Sequence, residues 1–160
     1  MATVTSLAGG ATAGRTAGSV PYLVSVDIDL AAAATAKGSA LAANDVIEAI
    51  SVPTNTAIMA AGVEVTTAPA GGTAFSVDLG VTGGDVDAFV DGFTVTSSSA
   101  GDYAALATAG PVIVGGTADT LDLLCLGTTP DTSGVLRVWA VLMDVDGRYG
   151  AEEVDRDVLA

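Results

Sequence analysis

Apolar residues along this chain recur mostly at every second position, the spacing of strands that bury one face and wet the other. In the stretch after Pro21, Tyr22, Val24, Val26, Ile28 and Leu30 share a face, with Ser25, Asp27 and Asp29 opposite. From Ala57 to Thr67 the same spacing puts Met59, Ala61, Val63 and Val65 inward and Glu64 and Thr66 outward. Phe75, Val77, Leu79 and Val81 alternate with Ala74, Ser76, Asp78 and Gly80. Asp45 to Val52 reads as a strand from its β-branched residues and is stopped by Pro53. The longest run, Val135 to Asp146, is mostly apolar on both faces, with Val135, Arg137, Trp139, Val141, Met143 and Val145 on one and Leu136, Val138, Ala140, Leu142 and Asp144 on the other. Such a pattern predicts a central strand covered on both sides. Thr120 to Leu126 is a further strand, and Phe93 to Val95, Tyr103 to Ala107 and Pro111 to Val114 are short ones.

Glycine, proline and serine punctuate these runs. Pro69 to Gly72, Ser97 to Gly101, Gly115-Gly116, Gly127 to Gly134 and Asp146-Gly147 read as turns or loops. Two stretches depart from the two-residue period. Val86, Phe89 and Val90 fall at i, i+3 and i+4 between Asp85 and Gly92, which predicts a short helix capped at both ends. Ala31 to Ala43 is alanine-rich, but Gly38 interrupts it and no apolar stripe forms, so it reads as a loop with room for a helical turn. Many short strands without strand–helix alternation predict an all-β fold, an antiparallel β-sandwich of jelly-roll-like form, ahead of an up-and-down barrel. The expected organisation is a flexible N-terminal arm over 1–20, a sandwich domain over 21–147 and a charged tail over 148–160.

Composition narrows the picture. Half the residues are hydrophobic but only 4% are aromatic, so the core is built from small and branched side chains that suit packed sheets. Nineteen acidic residues against 5 basic ones give a net charge of −14, a field that repels phosphate backbones and anionic lipid. Neither a nucleic acid nor a membrane is therefore an expected partner. No run reaches the roughly 18 apolar residues of a membrane span, and the N-terminus lacks the charge and apolar block of a secretory signal. A protein made in a cytoplasm and soluble until it meets a partner is the expectation.

The catalytic vocabulary is thin. Without histidine, the chain has no Ser-His-Asp or Cys-His nucleophile and no imidazole metal site. Cys125, the lone cysteine, sits among leucines and reads as a buried small hydrophobe; no intrachain disulfide is possible. Gly71-Gly72 and Gly83-Gly84 match neither a phosphate loop nor a dinucleotide fingerprint. Asp85, Asp87 and Asp91 invite a calcium reading, but Val86, Ala88 and Phe89 break the alternation of oxygen ligands that a calcium loop needs. Asp27 with Asp29, and Asp144 with Asp146, are better explained by a wet sheet face and a turn. A carboxylate pair for glycoside hydrolysis lacks the aromatic sugar platform that usually accompanies it. No enzyme, cofactor or metal is expected.

Met1 to Ser19 is alanine, glycine, threonine and serine with Arg15 as its one charge, too poor in apolar area to order itself. It is expected to be flexible alone and to order only against another subunit or protein. Thr3, Thr5, Arg15, Thr16 and the closing Pro21 are its candidate capsid or subunit contacts.

Three longer segments carry a resemblance: Leu41 to Ile58, Val77 to Gly92 and Gly134 to Gly147. Together they are similar to strand-and-turn patterns of small structural proteins of tailed-bacteriophage virions, and they span most of residues 22–147. The resemblance implies a capsid decoration (cement) protein or another minor virion protein with a jelly-roll-like fold, and it transfers no functional residue. Its implied partners are the major capsid protein and further copies of itself, trimers being favoured, on the capsid surface of the virion. A tail or fibre component and a carbohydrate-binding β-domain are the alternatives.

Overall fold

The computed structural model describes residues 3–4, 20–106 and 110–145. Its elements are β1 (Thr3–Val4), β2 (Tyr22–Asp29), α1 (Leu30–Lys37), β3 (Val46–Val52), β4 (Thr56–Ala70), β5 (Ala74–Val81), β6 (Val90–Thr94), β7 (Tyr103–Ala104), β8 (Val112–Val114), β9 (Asp119–Thr129) and β10 (Ser133–Asp144). They form two facing sheets, one in the order β1-β3-β9-β5-β6 and the other β2-β10-β4-β7, with β8 also on β4. Strand β2 pairs with β10, β3 with β9, β4 with β7 and β5 with β6, all antiparallel. The chain is thus one long hairpin rolled up, which is the jelly roll. Lateral pairing of β10 with β4 and of β9 with β5 closes the two sheets.

The inward positions follow the two-residue period. Ile28, Ile47, Ile50, Val63, Val65, Phe75, Val77, Leu79, Leu121, Leu123, Leu136, Val138 and Leu142 are buried between the sheets. Cys125 lies in the same core, fully buried, as a small apolar residue would. Burial pushes its thiol pKa up to about 12, with the Asp45 charge adding to the rise.

Four expectations require correction. Ala31 to Ala43 is not a loop throughout, because Leu30–Lys37 is a helix. Asp29 caps it by accepting hydrogen bonds from the Ala31 and Ala32 amides at 2.8 and 3.0 Å, and Gly38 ends it at φ 79°. Asp85 to Gly92 is not a helix. The backbone there is claimed by β5 instead. Val81 N–H donates to Asp85 O, and Phe89 N–H to Leu79 O. Strand β6 begins at Val90. Met59 is 37% exposed rather than inward, because a bulge sets Met59 and Ala60 together opposite Val141. Finally, β10 is central but not covered on both sides: Leu136, Val138, Ala140 and Leu142 are buried, whereas Val135, Arg137, Trp139, Val141 and Met143 are half-exposed. Smaller shifts lie at the ends, where β4 runs to Ala70 and the turn before β10 shortens to Pro130–Thr132.

Candidate functional site

Aspartates fasten the loops between these strands. Asp131, buried, accepts from the Gly72 amide at 2.9 Å and the Thr96 hydroxyl at 2.8 Å, tying three connections together. Asp45, also buried, accepts from the Ala42 amide at 2.7 Å and pairs with Lys37. Asp78 accepts from the Gly92 amide at 2.7 Å, Asp102 from that of Ser99 at 2.7 Å, and Asp119 from that of Gly83 at 3.3 Å. The acidic composition is therefore partly loop architecture. Asp85 and Asp87 are hydrogen-bonded to each other at the surface, and that bond together with the Asp85 charge raises the Asp87 pKa. Among the described residues no group of three or more carboxylates or thiols converges as metal ligands.

Two outer faces remain as surfaces that could do work. On the β2-β10-β4-β7 sheet, register aligns side chains in rows: Leu23, Val141 and Ala60; Ser25, Trp139 and Gly62; Asp27, Arg137, Glu64 and Tyr103; Met143, Ala57 and Ile113. Arg137 donates to Asp27 at 2.8 and 3.3 Å and lies 3.7 Å from Glu64. The Asp27 hydrogen bond and charge raise the Arg137 pKa further. The Trp139 indole lies over Gly62, where a Cβ would come within 2.7 Å of the ring. Packing does hold this tryptophan, but across the outside of the sheet rather than in the core. Leu23 is 68%, Tyr103 73% and Ile113 62% exposed. An apolar face with a polar row through it is the usual composition of a protein-binding surface.

The second face lies on β3-β9-β5. Val46 pairs with Leu124 and Gly80 with Asp122, and Asn44, Val81, Thr82 and Val86 complete a hollow of about 230 Å³. The Asp85–Val86 backbone crosses directly above Gly80, where any Cβ would collide at 2.1 Å. Asp122 stands in this hollow at 5% exposure; neither carboxylate oxygen meets a donor in good hydrogen-bond geometry, the Thr120 side chain and the Thr82 backbone offering at most weak, poorly aligned hydrogen bonds. Burial raises its pKa from 3.8 to about 6; the nearby Thr120 hydroxyl and Thr82 backbone offset this in part, while Glu48 and Asp119 add to it. Sequence patterning held the signal for this residue, a lone acid in the strand Leu121 to Leu126, but attention there falls on the cysteine.

Of the arm contacts, Thr3 lies in β1, which pairs in parallel with Val46 and Ile47 at the free edge of β3. Pro21 is exposed just before β2. Thr5, Arg15 and Thr16 lie outside the described residues, as do the Asp146-Gly147 turn and the 148–160 tail.

The same fold occurs in solved phage capsids. The chain matches a protein of the capsid of Ralstonia phage GP4 with a TM-score of 0.66 at 17% identity, covering 89% of this chain and 98% of that one. It matches one in the capsid asymmetric unit of cyanophage Pam1 with a TM-score of 0.60 at 13% identity, over 83% and 91% of the two chains. A third, from the acid-stable capsid of Helicobacter pylori bacteriophage KHP30, gives 0.50 at 17% identity over 78% and 89%. No protein-family model and no curated protein sequence matches the chain.

Proposed function

We propose that this protein is a phage capsid component of the decoration (cement) type, which binds the outer surface of the assembled head and stabilises it. The observation behind this reading is the match to the GP4 capsid chain, which this fold covers almost from end to end. The match takes in 98% of that chain and 89% of this one. The apolar outer face of the β2-β10-β4-β7 sheet and the edge carrying β1 supply contact surface. A field of −14 disfavours the packaged DNA and so favours the outside of the shell.

The mechanism is mass action. A protein that binds only the assembled lattice stabilises it by roughly 3 kcal/mol per site at a hundredfold excess over Kd. A homotrimer seated on a local three-fold axis multiplies weak contacts, because once one subunit binds the others face a high effective concentration. The implied partners are the major capsid protein and two further copies of this chain. Cryo-electron microscopy of particles incubated with the purified protein tests the reading, with density repeated over the whole shell expected. A few copies confined to the tail would overturn it. Removing residues 1–19 tests the arm: weaker particle binding is expected, and undiminished binding removes Thr3, Thr5, Arg15 and Thr16 as contacts.

A further inference from the structure

We propose that the hollow holding Asp122 receives an arginine side chain from the shell protein, so that a buried ion pair anchors the jelly roll to its lattice. This rests on the decoration reading above. Asp45, Asp78 and Asp131 are buried carboxylates that have found partners within the fold. Asp122 is buried to a similar degree, yet no donor reaches either oxygen in good geometry, and the weak hydrogen bonds from Thr120 and the Thr82 backbone leave its burial uncompensated, an arrangement that a fold does not keep without cost. Two such oxygens side by side match the paired N–H donors of a guanidinium, which can satisfy both at once.

The walls favour the same occupant. Val46, Val81, Val86 and Leu124 present apolar surface of the kind that the methylene stem of arginine covers while its head reaches a charge. A hard cation such as calcium takes about six to eight oxygen ligands, whereas the side-chain oxygens in this lining belong to Asn44, Thr82 and Asp122 alone. The other charged groups around Asp122 have its sign. Glu48 is its register partner on β3, Asp119 lies along β9, and β5 offers Gly80 with no side chain. A cation entering here meets no like charge.

No free cation for this hollow stands among the described residues. Lys37 and Arg137 are the basic side chains among the described residues, and both are engaged, with Asp45 and with Asp27 and Glu64. A second copy of this chain brings a charge of −14 to this acidic face, a repulsion that the trimer contacts would already have to offset, so it is a poorer source of the cation than a shell protein with an exposed arginine.

Two measurements test this. In the first, n-butylguanidinium is titrated at pH 7.5 into the full chain while methyl NMR signals of Val46, Val86 and Leu124 are followed. Saturable shifts are expected in the wild type, and their loss in Asp122→Asn and in Val86→Trp, which caps the rim. Absence of saturable shifts, or shifts that survive in Asp122→Asn, overturns the assignment. In the second, wild type and Asp122→Asn are bound to shells stripped of the protein, with circular dichroism confirming that both are folded. A fall in affinity of roughly tenfold or more is expected for Asp122→Asn. Equal affinity overturns the anchor while leaving the decoration reading intact; failure of the wild type itself to bind sinks that reading, and the anchor with it. If Asp122→Asn instead abolishes self-association and leaves shell binding unchanged, the occupant is a second copy and the proposal falls.

Discussion

Replacing Asp122 by Asn should make the protein more stable at neutral pH and leave its stability nearly unchanged at pH 4. The folded protein ionises Asp122 at about 6, against 3.8 for the free side chain. Between those values the folded state holds a proton that the unfolded chain has released. Stability contributed by this residue therefore rises as pH falls from 6 to 4 and is lost as pH climbs through 6. Taken at face value the difference is about 3 kcal/mol at pH 7.5; solvent screening of a carboxylate near the surface of a thin sheet brings it nearer 2. Asparagine has almost the same shape and no charge to desolvate, so the variant escapes this penalty. For a domain of this size, roughly 2 kcal/mol is worth about 4–8 °C in Tm. The assay is urea unfolding of wild type and variant at pH 4, 6 and 7.5, with equal m-values required so that only stability is compared. The gap between the two should open between pH 4 and 6 and stay constant above. Parallel pH profiles, or a variant less stable at pH 7.5, would refute the reasoning, because the carboxylate would then be solvated or paired. A residue that costs stability at its own site suits one kept for contact rather than for folding.

Other outcomes follow from the same geometry. Asp131→Ala removes the acceptor shared by Gly72 and Thr96, and denaturant unfolding should show a loss of about 3 kcal/mol. Gly62→Ala drives a methyl into the Trp139 ring and the Ala104 carbonyl; a destabilisation of about 1–3 kcal/mol with a shifted tryptophan emission is expected, and an unshifted spectrum would contradict the stacking. Arg137→Met breaks an exposed ion pair and should change the unfolding free energy by less than about 1 kcal/mol, even at low salt. Cys125 should resist a thiol reagent at pH 8 in the native protein and react at the free-thiol rate in urea, since its thiol is buried with a pKa near 12.

The sandwich was legible because strand periodicity is set by which face is dry. Val24, Val26 and Ile28 of β2, and Phe75, Val77 and Leu79 of β5, sit where alternation put them. What alternation could not tell was why a residue is apolar. Trp139, Val141 and Met143 read as a second buried face, yet they line the outside of a sheet, and a half-exposed apolar row cannot be told from a buried one by residue type alone. Spacing misled at Val86, Phe89 and Val90, because three residues fit a helix and a turn equally well until Gly80 admits the passing backbone. The α1 helix escaped notice for the opposite reason. It buries only Leu30 and Ala33, leaving no stripe to detect, and it rests on its two caps. Of the surfaces now in view, the exposed row on β10 was half visible, as an apolar pattern assigned to the wrong environment. The Asp122 hollow depends on β3, β5 and a turn meeting across long sequence distances, which no local pattern encodes.

The place of β10 has a consequence for how the protein comes into being. This strand is the last of the described elements to leave the ribosome, yet it lies between β2, among the earliest, and β4. Until residues 133–144 emerge, β2 has no neighbour to bond with, and one flank of β4 stands open to any passing strand. Pairing of β2 must therefore wait until β10 has been made, and pairings this distant assemble slowly. Nascent copies are meanwhile in their most adhesive form, and the negative charge that builds up along the chain from Asp27 onward sets those half-made chains against one another.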